Sequence, residues 1–306
     1  MRAEIEAASK RIAGHVRTTP IIHLEAGAWG LDATVVLKLE QLQHTGSFKP
    51  RGAFNRLLSS TIPPAGVIAA SGGNHGLAVA YAARQLRQRA EIFVPETCPP
   101  IKVERLRGYG AIVTQVGVTY AEALQASQAR AEQTGALVVH AYDQPEVIAG
   151  QGTLGLEFAR QVPELDTVLI AVGGGGLIAG VAAWFAGDVR VIGVEPESAP
   201  SMTRALEVGE PVDTEVGGVA VDSLGARRAG ALAFSLFKHY GERVVLVSDA
   251  SIRAAQRTLW NDLRLIAEPG GATATAALLS GAYRPEPGEH VGVVICGGNT
   301  DPGLLA

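Results

Sequence analysis

The octapeptide Gly46-Ser47-Phe48-Lys49-Pro50-Arg51-Gly52-Ala53 sets one lysine between a glycine–serine–phenylalanine run and a proline, with a second glycine three residues on. A surface lysine needs no such setting. A lysine that forms an imine does, because its amine has to be held out of bulk water and kept partly unprotonated. Lys49 is therefore the candidate catalytic residue. Arg51, two residues later, reads as a surface or interdomain partner.

Outward from this stretch the chain alternates strands and helices, the pattern of a mostly parallel sheet with helices on both faces. Helices are expected at 4–13, 51–59, 76–87, 101–107, 120–132, 150–161, 226–238, 249–262 and 272–279. Strands are expected at 34–39, 66–70, 90–94, 111–116, 138–140, 167–172, 190–194 and 291–296. The runs at 167–172 and 190–194 are continuously apolar, as central parallel strands are. With 306 residues the chain is long enough for one large or two modest domains.

Composition narrows the function classes. A net charge of -4 gives no reason to expect a nucleic acid or an anionic membrane as partner. Two cysteines, Cys98 and Cys296, cannot form a disulfide framework, and a reducing, cytoplasmic compartment is expected. Residues 1–24 mix acids and bases without the apolar core of a signal peptide. The segment 167–187 is uncharged and long enough to span a bilayer, but four consecutive glycines cut it in half. A strand, a glycine turn and a buried helix explain it better.

Three further constellations carry chemistry. Ser71-Gly72-Gly73-Asn74-His75-Gly76 lies between an expected strand and an expected helix. Amides at a helix N-terminus attract anions, and glycines let backbone come close to a ligand, so a substrate carboxylate fits here. Asn74 offers both a donor and an acceptor. Gly173-Gly174-Gly175-Gly176-Leu177 follows an expected strand and leads into a helix, which suits a phosphate. Gly174, Gly176 and Ala179 also satisfy G-x-G-x-x-A, and Glu195 ends the next strand where a ribose-binding acid would stand. Taken alone, this loop leaves a dinucleotide-binding domain tenable, although that reading leaves Lys49 and Asn74 unexplained. Cys296-Gly297-Gly298-Asn299 closes the last expected strand. No H-E-x-x-H, paired C-x-x-C or G-x-S-x-G occurs, so neither a zinc site nor a serine hydrolase is marked, and no metal is expected.

Together these motifs resemble the fold type II pyridoxal-phosphate enzymes, most closely the serine/threonine dehydratases. The resemblance covers nearly the whole chain, with five motifs in family order. It implies an α/β fold like the tryptophan synthase β subunit, with two three-layer αβα domains: a small one at 41–140, and a large one from 1–40 and 141–306. It implies pyridoxal 5'-phosphate as cofactor, carried by Lys49 as a Schiff base. The cofactor-binding set implied is Phe48, Lys49, Asn74, Gly173, Gly174, Gly175, Gly176, Leu177, Glu268 and Cys296. Asn74 would contact the ring oxygen, the four glycines the phosphate, and Cys296 the pyridine nitrogen. Ser71, Gly72, Gly73, Asn74 and His75 would hold the substrate carboxylate. Gln151 and Gly152, in Gly150-Gln151-Gly152-Thr153, would line the substrate end of the site. His75 reads as a structural residue of its loop rather than a general base.

The function implied is β-elimination from L-threonine or L-serine, giving 2-oxobutanoate or pyruvate and ammonia. Alternatives within the same chemistry are a 3-hydroxyaspartate dehydratase and a serine racemase. Threonine synthases resemble the lysine motif but usually carry aspartate where Pro50 stands. Other classes are an NAD-dependent oxidoreductase, resting on Gly174 and Glu195, and a non-catalytic amino-acid sensor. Two departures bear on these. Racemising relatives use a serine hydroxyl on the cofactor face opposite the lysine, and that position here is Gly72, so racemisation should be weak. Several relatives bind a divalent cation through an acidic pair; Asp222 matches one acid, while the other falls near Val216, with Glu215 one place off. Biosynthetic threonine dehydratases carry a C-terminal regulatory domain, and a chain ending at Ala306 has no room for one, so a catabolic or unregulated enzyme is expected. A homodimer is implied by analogy.

Overall fold

The structure, a computed structural model, describes residues 1–301 and 303. Ala306, the end of the range expected for the large domain, lies outside the described residues. In chain order the elements are α1 (Arg2–Arg11), β1 (Ile21–His23), β2 (Ala33–Lys38), α2 (Pro50–Leu58), β3 (Val67–Ala70), α3 (Asn74–Gln85), β4 (Ala90–Val94), α4 (Pro100–Gly108), β5 (Ile112–Gln115), α5 (Tyr120–Thr134) and β6 (Leu137–Val138). There follow α6 (Pro145–Gln161), β7 (Thr167–Ala171), α7 (Gly176–Phe185), β8 (Arg190–Pro196), α8 (Ser201–Val208), α9 (Val221–Leu224), α10 (Ala231–Tyr240), β9 (Arg243–Val247), α11 (Asp249–Leu263), α12 (Pro269–Ser280) and β10 (Glu289–Val294).

Two sheets organise the chain. The larger has six strands in the order β1-β2-β10-β7-β8-β9, parallel except for the short edge strand β1. The smaller has four parallel strands, β5-β4-β3-β6. Each has its own core. Around the larger sheet, Val35, Leu37, Leu169, Val293 and Phe158 are buried; around the smaller, Phe54, Leu57, Val67, Ile92 and Leu106. β7 reads Thr-Val-Leu-Ile-Ala and is buried at every residue, as a central strand covered on both faces must be. In parallel α/β sheets ligands bind outside the carboxyl ends of the strands. The loops after β3, β7 and β10 are the three glycine-rich stretches singled out above.

The local chemistry sets several boundaries. Pro50, Pro100, Pro145 and Pro269 stand in the first turns of α2, α4, α6 and α12, where proline's missing N–H costs nothing. Thr119 and Glu122 form a reciprocal cap on α5, which ends on Gly135 in the left-handed region.

Four expectations are corrected. α6 starts at Pro145 rather than near 150, so the Gly150–Thr153 motif is helical interior. α10 starts at Ala231 rather than near 226, because the Asp143 carboxylate accepts hydrogen bonds from the amides of Ala231, Leu232 and Ala233 and fixes the N-terminus there. β6 covers only Leu137–Val138: the His140 amide donates to Gln144 Oε1 (2.9 Å) and turns the chain away from the sheet. The edge strands β1 and β9 and helix α8 were not expected, since short runs do not separate strand, helix and connection by periodicity.

Candidate active site

Backbone bonds tie the lysine octapeptide to the loop after β10. Phe48 N donates to Cys296 O (3.1 Å), Gly298 N to Gly46 O (2.9 Å), and Ser47 bridges Gly297 in antiparallel fashion. Glu268 joins the same knot, its amide donating to Gly297 O at 3.1 Å. Lys49 and Glu268 are the N-cap residues of α2 and α12, each followed by its proline, so both side chains leave the backbone at the start of a helix. Thr45, just upstream, is held at φ 62, a left-handed conformation unusual for a β-branched residue.

The Lys49 amine donates to the Ala141 carbonyl (2.6 Å) and lies 5.1 Å from the centre of the Phe48 ring. Burial pushes its pKa down to about 8. The same burial pushes the Glu268 carboxyl up to about 7 and the Cys296 thiol well above its usual range. Cys296 Sγ is therefore a neutral group; it contacts Gly270 O at 3.5 Å. Asn74 Nδ2 donates to Glu268 Oε1 (2.6 Å), and Asn74 Oδ1 accepts from Asn299 Nδ2 (2.7 Å). Asn299 Nδ2 also donates to Thr45 O (2.7 Å). One polar chain thus runs from Glu268 through Asn74 to Asn299. It borders a cleft walled by Gly72, Gly73 and Leu77 on one side and by Lys102 and Arg105 of α4 on another.

The glycine loop fits a phosphate group. Among the described residues no acceptor takes the amides of Gly173, Gly174 or Gly175, and the loop opens the ten-residue helix α7. Gly175 sits at φ 92, and a Cβ on Gly174 would fall 2.3 Å from the Tyr142 ring, so side chains are excluded by conformation and by space. Leu177 is buried in the first turn of α7. The donor set therefore suits pyridoxal phosphate: free amides for its phosphate, an amine of lowered pKa, and Asn74 and Cys296 as neutral partners for its ring.

Other expected residues fall differently. The His75 ring is bonded to Val139 O (2.9 Å) and pushed down to about 3 by burial, so toward a carboxylate it has only its amide to offer. Ser71 Oγ accepts from Gly73 N (3.2 Å) and braces the turn. A Cβ on Gly72 would lie 2.8 Å from Cys98 Sγ, so the thiol fills the space a serine at that position would need. Gln151 and Gly152 do not line the cleft: Gln151 is buried against Gly52 of α2, and Gly152 packs on Ile5 and the Gly180 carbonyl. Their place inside α6 is the reason. Glu195 holds no ribose position; its carboxylate is buried and accepts from Met202 N (2.7 Å) and from Thr203 N (2.9 Å), capping α8. Among the described residues no three His, Cys, Asp or Glu side chains gather as metal ligands, and Asp222 is paired with Lys102 at 3.1 Å. No helix among them is long and apolar enough to cross a membrane. Sequence reasoning gave no role to Asn299, Ala141, Lys102 or Arg105; only the spacing of Lys102 and Arg105, one helical turn apart, was a signal.

Comparison with known proteins places these observations in a family. The model of the pyridoxal-phosphate dependent enzymes matches residues 12–297. An L-threonine ammonia-lyase of Geobacter sulfurreducens is 38% identical over 302 residues, covering 97% of this chain and 75% of that one. Among solved structures, maize serine racemase superposes with a TM-score of 0.93 at 32% identity, covering 99% of this chain and 95% of that one. The T.th. threonine deaminase gives 0.91 at 36% identity, covering 98% of each chain.

Proposed function

The chain belongs to the pyridoxal-phosphate dependent enzyme family, and from that premise we propose that it is an ammonia-lyase that removes water and ammonia from L-threonine, with L-serine as the smaller substrate. The observation that carries this reading is the Lys49 amine, held against the Ala141 carbonyl with its pKa lowered to about 8 beside Cys296 and Glu268. Relatives named threonine ammonia-lyase and threonine deaminase support the choice of substrate.

Bound here, pyridoxal phosphate supplies an electron sink for the charge that develops at Cα. The residues do the rest. The amides of Gly173 to Gly176 would hold the cofactor's phosphate, Cys296 would serve its ring nitrogen as a neutral thiol, and Asn74, positioned by Glu268 and Asn299, would serve its ring oxygen. The α3 N-terminus, from Ser71 to His75, orients the substrate carboxylate. Lys49 takes the Cα proton. With a pKa of about 8, roughly a tenth to a half of its amine is neutral between pH 7 and 8, against roughly a thousandth for an unperturbed lysine.

The test is an absorbance spectrum of the protein with pyridoxal phosphate, followed by L-threonine and an oxo-acid assay. A violet band from lysine-linked cofactor and release of 2-oxobutanoate are expected. Lys49→Ala should lose that band and lower turnover by more than about a hundredfold; normal turnover in this variant would end the reading.

A further inference from the structure

The connection between β6 and α6 meets three parts of the site at once. The Ala141 carbonyl accepts from the Lys49 amine at 2.6 Å. Tyr142 backs the glycine loop: a Cβ on Gly174 would lie 2.3 Å from its ring, and one on Gly176 would lie 2.6 Å from its carbonyl oxygen. Asp143 caps α10. No helix or strand covers these three residues, so side chains set the shape of the turn.

The side chain that does so is His140. Its Nδ1 accepts from the Asp143 amide (2.9 Å) and from the Tyr142 amide (3.3 Å). One ring nitrogen thus closes the turn around Ala141, whose carbonyl meets Lys49. Nδ1 accepts only while it carries no proton, so the ring is neutral with its hydrogen on Nε2. The titratable groups facing this ring are Asp143 and Tyr142 in the same turn, Lys49 at the start of α2 and His75 of α3. Burial holds His140 below its usual pKa, opposed by the Asp143 carboxylate and aided by the Lys49 amine. His75, pushed down to about 3, and the Tyr142 phenol, pushed up to about 12, stay neutral beside it.

We propose that His140 is a positioning residue for both Lys49 and the glycine loop, its neutral ring accepting the two amides that close the turn, so that protonation of the ring releases both. This rests on the pyridoxal-phosphate site described above and adds a residue to it. A proton on Nδ1 sets a donor against two amide donors, and the turn has to open. Ala141 then leaves the Lys49 amine and Tyr142 leaves Gly174 and Gly176. Because the native ring lies below the ordinary value of 6.5, the turn is intact at neutral pH. Its stabilisation falls away as pH drops below 6.5, where the opened turn takes up a proton that the closed one refuses.

The experiment measures the dissociation constant of pyridoxal phosphate, read from the violet band, between about pH 5 and pH 8. It uses the unaltered protein, His140→Asn and His140→Leu. Asparagine accepts from the amides two and three residues on, as in an Asx turn, and does not titrate. Leucine keeps bulk without an acceptor. At pH 8 His140→Asn should bind within about threefold of the unaltered protein, and His140→Leu about ten- to a hundredfold more weakly, the loss of an acceptor for buried amides. The ratio of the unaltered protein's constant to that of His140→Asn should rise as pH falls below 6.5. Protonation of Lys49 and of the cofactor phosphate acts on both and cancels in this ratio. At saturating cofactor His140→Leu should also lower kcat for L-threonine by about tenfold with little change in KM, since the residue being positioned is the base. A ratio that does not change with pH, an asparagine variant as weak as the leucine one, or a leucine variant that binds normally overturns the proposal alone. An unaltered protein without the violet band overturns the cofactor site with it.

Discussion

Lys49 and Glu268 are shifted in opposite directions by one cause: burial disfavours the charged form of each, lowering the amine to about 8 and raising the carboxyl to about 7. Both approach neutrality near physiological pH. For Glu268 this has a consequence for stability. The native apoprotein binds a proton between pH 4.5 and about 7 that the unfolded chain has released, so the contribution is full below 4.5 and lost as pH rises through 7. Glu268→Gln should flatten this part of the pH–stability curve, which amounts to about 3 kcal/mol at most. Urea titrations of the two apoproteins at several pH values read the difference; parallel curves would show that Glu268 is ionised in the native state. Residue types were readable at this scale, since Lys49, Asn74 and Cys296 stand in distinctive local sequence. Their partners were not. Nothing near Asn74 in the chain announces Glu268, 194 residues away.

Glycine decides how closely two elements meet in α6 and α7. A Cβ on Gly180 would lie 2.4 Å from Ile148 O and 2.6 Å from Gly152 N, and one on Gly152 would lie 2.8 Å from Gly180 O. The helices touch backbone to backbone, and α7 carries the glycine loop at its N-terminus. In an isolated helix Gly180→Ala would stabilise by about 1 kcal/mol. Here the methyl group meets backbone that cannot rotate away, so a net loss of about 1–3 kcal/mol is expected. Urea denaturation and pyridoxal-phosphate affinity should both weaken in this variant; an unchanged midpoint would mean that the helices slide apart freely. The glycines of α6 are visible as a motif in an expected helix, but the expected start near 150 sets that motif at the helix's end, whereas the Pro145 start places it in the interior, against α7.

Across the whole molecule, a buried ionic quartet joins parts of the chain that belong to different cores. Arg51 of α2 pairs with Glu40 through Nε (2.8 Å) and Nη2 (2.7 Å) and with Glu157 of α6 at 3.0 Å. Lys38, at the end of β2, completes it through Glu157 and Thr19 O. Arg51, Glu40 and Lys38 are almost wholly excluded from solvent. Two positive and two negative groups balance, and removing one leaves a buried charge unpaired. Arg51→Met should cost about 3–5 kcal/mol, read as a lower denaturation midpoint; a loss below about 1 kcal/mol would mean that water reaches Glu40. The sequence left Arg51 open as a surface or interdomain partner. By itself the sequence determined what local rules govern: proline-led helices, apolar central strands, glycine turns after strand ends, and the lysine and asparagine motifs. These depend on neighbours within a few residues and on a period of two or 3.6. Only the tertiary structure decided which of these groups meet. Lys49 finds its carbonyl 92 residues on, and Arg105 finds Asn299 at 194. Such pairs are set by how two sheets and their helices pack, and no periodicity along the chain records them.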